Sequence, residues 1–145
     1  MQNLYLFMTF LFVSVAIASE NLDIFLGEYE LNKELGFNIS ECQEKMSVYE
    51  WLEGEITVEF EPARRESVYF NEINESADAT RYDGFYLCYK TTLENQTLTT
   101  YITKELGVPV CLFREYYLRE SLQKTAEGLI YRFTDHKKCH YNKIY

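Results

Sequence analysis

Four cysteines, Cys42, Cys88, Cys111 and Cys139, limit what this chain of 145 residues can become more than any other feature. No two of them have the CxxC spacing of a zinc ribbon or a dithiol redox centre. An even number in a small chain reads instead as two disulfides, with three possible connectivities, and that chemistry belongs to an oxidising compartment. The N-terminus agrees. Met1 to Ala18 carries no charged side chain, is strongly apolar from Leu4 to Val15, and ends Ala16-Ile17-Ala18. This is the layout of a secretory signal peptide with a small-residue cleavage site. Residues 1–18 are therefore expected to be removed, leaving 19–145 as one extracellular domain. Three sequons, beginning at Asn38, Asn74 and Asn95, fit the same route and are candidate glycosylation sites.

Charge narrows the partners. The formal net charge is −9 and the isoelectric point about 4.7. Nucleic acids and anionic membranes need a basic face, so neither is an expected partner. No run after the leader is apolar enough to cross a bilayer. The mature product is expected to be soluble and monomeric.

The body of the chain reads mostly as short strands. Asp23 to Leu31 alternates after Gly27, and Ile56, Val58 and Phe60 alternate with Thr57, Glu59 and Glu61, the pattern of a half-buried strand. Val68-Tyr69-Phe70 and Ile73 follow a turn at Pro62-Ala63-Arg64-Arg65. Phe85–Lys90 and Thr97–Lys104 suggest a hairpin around Leu93-Glu94-Asn95-Gln96. Pro109–Phe113 reads as a further strand. Leu118, Leu122, Ala126 and Leu129 then recur at helical spacing, and Gly128 suits the position just past a helix end. Ile130, Tyr131 and Phe133 form a last short strand before Cys139. Many antiparallel strands with one late helix predict an all-β barrel or sandwich.

Signals for catalysis are sparse. There are two histidines, His136 and His140, and no GxSxG, HExxH or glycine-rich phosphate loop. His136, Cys139 and His140 lie close enough for a metal site, but a disulfide is the better use of Cys139. Glu59 and Glu61 share a strand face, where solvated carboxylates are the commoner meaning. No enzyme activity, cofactor or metal is expected.

Two terminal motifs resemble those of lipocalins. Asn21-Leu22-Asp23-Ile24-Phe25-Leu26-Gly27-Glu28-Tyr29 is similar to the first-strand motif, with Tyr29 where tryptophan is usual. Val110-Cys111-Leu112-Phe113-Arg114 followed by an amphipathic segment and Cys139 is similar to the family's last strand, arginine, outer helix and C-terminal cysteine. The resemblance implies an antiparallel lipocalin-like β-barrel with one C-terminal helix, with Gly27 and Tyr29 at the closed end and Arg114 packed on the Tyr29 ring. The cysteine order resembles that of tick salivary lipocalins of the histamine-binding type, which implies Cys42–Cys139 and Cys88–Cys111. It also implies a container for a small hydrophobic or amine ligand, such as histamine, serotonin or a lipid. Trp51, Phe60, Phe70, Tyr86 and Tyr101 are the candidate lining residues. Glu50 and Glu59 are candidates for meeting an ammonium group.

An immunoglobulin-like sandwich is the alternative. Gly84-Phe85-Tyr86-Leu87-Cys88 resembles its G-x-Y-x-C strand, Trp51 lies between Cys42 and Cys88, and the bridge would then join those two cysteines. That fold would bind a host protein or cytokine. It leaves the Leu118–Leu129 segment and Cys139 without a role.

Overall fold

The computed structural model describes residues 22–35, 41–62, 67–75, 77, 79–107, 109–113, 115–133 and 137–144. The expected signal segment 1–18, Asn38, Arg64, Arg65, Arg114 and His136 fall outside them. A 3-10 turn, Asp23–Phe25, leads into ten strands: β1 Gly27–Leu31, β2 Lys45–Leu52, β3 Glu55–Glu61, β4 Val68–Phe70, β5 Ala79–Tyr82, β6 Phe85–Glu94, β7 Thr97–Glu105, β8 Tyr117–Lys124, β9 Gly128–Arg132 and β10 Lys138–Lys143. All pair antiparallel in one sheet of order β4-β3-β2-β1-β10-β9-β8-β7-β6-β5. The chain is thus an up-and-down meander whose first strand pairs with its last.

Because neighbouring strands alternate in direction, connections leave by two ends in turn. One end carries the longer connections 32–44, 62–67, 106–116 and 133–137. The other carries the tight turns 53–54, 95–96 and 125–127, together with the 3-10 turn. The Asn95-Gln96 turn has both residues at positive φ (49° and 58°), the geometry a two-residue hairpin needs to match strand twist.

The sheet curls around one core. Phe60 on β3 meets Tyr131 on β9 at 5.0 Å between ring centres, although three strands separate them in the sheet. The 3-10 turn precedes β1 yet lies against β8. No ladder joins β4 to β5, but the chain just after β4 reaches β6. Ile73 forms a parallel bridge with Thr91, the Asn74 amide donates to the Thr91 carbonyl (2.9 Å), and the Leu93 amide donates to Asn74 Oδ1 (2.9 Å). Both bridges expected from the cysteine order are present, Cys42–Cys139 and Cys88–Cys111. The Cys42–Cys88 link required by an immunoglobulin-like fold is not made.

The expected C-terminal helix is a correction. Residues 117–124 are β8, hydrogen-bonded on one side to β7 and on the other to β9. A helix there would leave two long strand edges unpaired, and that non-local demand outweighs local helical periodicity. The periodicity itself misleads because of a bulge. Leu122 pairs with Leu98 and Leu118 with Tyr101, with a register shift between Thr100 and Tyr101. The extra residue, Arg119, puts Leu118 and Leu122 on opposite faces instead of one. Gly128 is no helix cap either. It lies in β9, where an added Cβ would fall on the Tyr141 carbonyl oxygen, so the glycine serves close backbone approach. Residues 109–113, expected as a strand, form an irregular connection pinned by Cys88–Cys111.

Candidate functional site

Strand alternation sorts the expected ligand residues, and it scatters them. Phe60 and Phe70 face inward and are buried in the core, Phe60 against Tyr131. Glu59 lies between inward Val58 and Phe60, so it points outward; there it accepts a hydrogen bond from the Tyr49 hydroxyl (2.6 Å). Trp51 is 71% exposed and meets Tyr49 edge-on, which also places it outside. Glu50 shares the inward register of Ile56 but stands exposed at the tight-turn end, where its Oε1 accepts the Gly54 amide (2.7 Å). Tyr86 shares the face of Cys88 and pairs with Glu105, and Tyr101 packs against Tyr116; both lie on the outer side of β6–β7. No common cavity is formed by these seven. Glu59, a candidate for meeting an ammonium group, is placed on the outer face by the parity of β3.

The inner face of β6, β7 and β8 holds a different set. Leu93 and Leu98 belong to the core side, and β6 and β7 pair without a register shift, so Phe85, Leu87 and Tyr89 share that face with Ile102 and Lys104. These apolar groups are half-buried, unlike their counterparts elsewhere on the sheet. Two cations lie on the rings: Lys104 Nζ is 4.0 Å from the Phe85 ring centre, and the Arg119 guanidinium is 5.2 Å from that of Tyr89. The bulge in β8 brings Arg119 over the Tyr89 ring, and both cations remain exposed to solvent. Behind them Thr91 and Thr100 are buried and joined hydroxyl to hydroxyl at 3.1 Å. Glu120, half-buried and opposite Thr100, is an acidic member of the same face. Ammonium and guanidinium groups held on aromatic faces keep their charge near apolar surface, a setting that suits an anion with an apolar body.

The alternation Phe85-Leu87-Tyr89 was visible in the sequence and could have pointed here. Arg119 could not, because its orientation depends on the bulge.

Tyr29 is buried, its hydroxyl donates to the Phe25 carbonyl (2.7 Å), and burial pushes its pKa to about 12. Arg114 lies outside the described residues. Lys143 stands 6.0 Å from the Tyr29 ring centre and donates to the Leu26 carbonyl (2.9 Å), tying β10 to the 3-10 turn. Nearby, Lys124 donates to the Gly128 carbonyl (3.3 Å), and its pKa is lowered by burial and then by Lys143. Asn74 and Asn95 are both exposed.

Among the described residues no three histidine, cysteine, aspartate or glutamate side chains are grouped to hold a metal, and no helix is long and apolar enough to cross a membrane. No family model, curated protein or solved structure matches the chain.

Proposed function

We propose that this chain is a secreted, lipocalin-like β-barrel that binds a small amphipathic molecule with an acidic headgroup on the inner face of β6–β8, and does not transform it. The observation that carries this reading is the pair of cations on inner-face rings, Lys104 on Phe85 and Arg119 on Tyr89, beside apolar groups that the core does not cover. A barrel is supported by the meander whose first and last strands pair, and by the Ile73–Asn74 bridge that carries the chain from β4 to β6. Secretion is supported by two disulfides and the leader-like N-terminus. The apolar body of the ligand would cover Leu87, Tyr89 and Ile102, at about 25 cal/mol per Å² removed from water before binding costs. Its carboxylate would meet Lys104 or Arg119 in a charge-assisted hydrogen bond contributing about 1.5–3 kcal/mol.

A biogenic amine is the less favoured cargo, because Glu59 points outward and Lys104 and Arg119, the two cations on the rings, face Glu120. Calorimetry with a long-chain fatty acid and with histamine, side by side, separates the two. The fatty acid is expected to bind, and Lys104→Met and Arg119→Met each to weaken it roughly tenfold. Glu120→Gln should leave it bound. Amine heat that disappears in Glu120→Gln, with no fatty-acid binding, would replace this cargo with an amine.

A further inference from the structure

The outer face of β1–β4 carries a second surface, distinct from the inner face of β6–β8. Tyr49 on β2, Thr57 on β3 and Tyr69 on β4 stand in register across three strands, and Trp51 continues the row from β2. Trp51 is 71% exposed and Tyr69 57% exposed, large apolar groups that monomeric surfaces seldom cluster on one patch. Around them the strand parity places Glu28, Glu30, Glu55, Glu59 and Glu61 on the same outer face, with Lys45 the one cation among the described strand residues there. Lys45 is itself paired with Glu61 at 3.9 Å. The Glu59 carboxylate accepts a hydrogen bond from the Tyr49 hydroxyl and so ties that ring to β3.

Thr57 adds an independent observation. It points outward, yet it is 2% exposed, flanked in register by Tyr49 and Tyr69. Its Oγ1 is buried without a hydrogen-bond partner among the described residues. A buried hydroxyl left unpaired is unfavourable, and a donor arriving between the two rings would satisfy it.

We propose that this outer face docks a basic segment of a protein partner, with an arginine or lysine side chain entering between Tyr49 and Tyr69. Aromatic faces and carboxylates together are the chemistry that recognises a guanidinium or ammonium group. A guanidinium inserted between the rings would also supply the donor that Thr57 Oγ1 lacks. Charge complementarity selects this occupant over the others. A second copy of the chain, at net charge −9, would bring carboxylates to carboxylates, and an anionic membrane would be repelled likewise.

Trp51 is the single tryptophan of the chain, so its emission reports on this face alone. The full secreted protein would be titrated with a Gly-Arg repeat peptide, and with a Gly-Ser peptide of equal length as control. The expected result is a saturable change in emission with the arginine peptide only, weakened by salt. Tyr69→Ala should weaken binding about tenfold, as removal of a central aromatic anchor does. Glu59→Gln should weaken it severalfold. Thr57→Val, which removes only the orphan hydroxyl, should weaken it severalfold while leaving the thermal midpoint unchanged or higher. Lys104→Met should leave it intact, which separates this surface from the lipid-binding face. An unchanged emission, equal binding by the three outer-face variants, or dimerisation detected by sedimentation in place of peptide binding would each overturn the proposal.

Discussion

One continuous sheet carries two halves built to different standards. On β1–β4 with β9 and β10, the inward residues Tyr29, Met46, Ile56, Val58, Tyr131 and Tyr141 are almost wholly buried, and Phe60 reaches across the interior to Tyr131. On β6–β8 the inner face is covered only near Leu93, Leu98 and Leu122. Beyond them Phe85, Leu87, Tyr89 and Ile102 stay half-buried under Lys104 and Arg119. Burial fixes the first half. The second half withholds burial, and apolar surface with charge above it is what a ligand can cover.

Each half carries one disulfide, and removing them should separate the halves most widely. Cys42–Cys139 closes 97 residues and Cys88–Cys111 closes 23. Loop entropy assigns about 4–5 kcal/mol to the first and about 3 kcal/mol to the second. Paired serine substitutions compared by urea unfolding test the order. Greater loss on removing Cys88–Cys111 would mean that the β6–β8 half, not the packed half, anchors the fold.

Core truncation sharpens the same contrast. Phe60→Ala should cost about 3–5 kcal/mol, since its ring fills the interior against Tyr131. Ile102→Ala, on the half-covered face, should cost roughly 1 kcal/mol. Equal costs would show that the β6–β8 face is as densely packed as the rest.

Proton titration gives smaller effects, both of them within the packed half. His140 on β10 has its pKa lowered by burial, and by Lys138 and Arg132, so its folded form favours the neutral imidazole. Its contribution is present above pH 6.5 and is lost as pH falls through the lowered folded value. Acidification below 6.5 should therefore reduce stability in the wild type and less so in His140→Gln, as read from thermal midpoints. On the outer face, the hydrogen bond to Glu59 raises the Tyr49 pKa to about 12. The contribution of that bond is complete below pH 10 and lost as pH climbs from 10 towards 12. Carbon NMR of labelled tyrosine should show Tyr49 titrating late, and nearer 10 in Glu59→Gln.

Alternation made much of the packed half legible. Ile56, Val58 and Phe60 stated the buried face of β3 outright, and a tight turn near Asn95 was legible in the sequence. The disulfide partners followed from a family resemblance in cysteine order, not from spacing. What misled lay in β8. Leu118 and Leu122 at helical spacing also describe a strand with a bulge, and only β7 and β9, distant along the chain, decide between them. The same bulge hid Arg119. The expected ligand residues are divided between two faces for a related reason. An aromatic or acidic residue on a strand is inward or outward by parity, and parity is known only once the register is. Glu59, Trp51, Tyr86 and Tyr101 fell on the outer face, while Phe60 and Phe70 fell within the packed core.

Amide shift mapping of isotope-labelled protein, titrated with a long-chain fatty acid, tests the division most directly. Binding on the half-covered face predicts saturable shifts centred on Leu87, Tyr89, Ile102, Lys104 and Arg119, with Met46, Val58 and Tyr141 unmoved. Shifts centred on the packed half, or no shifts with fatty acid at any concentration below its solubility limit, would contradict it.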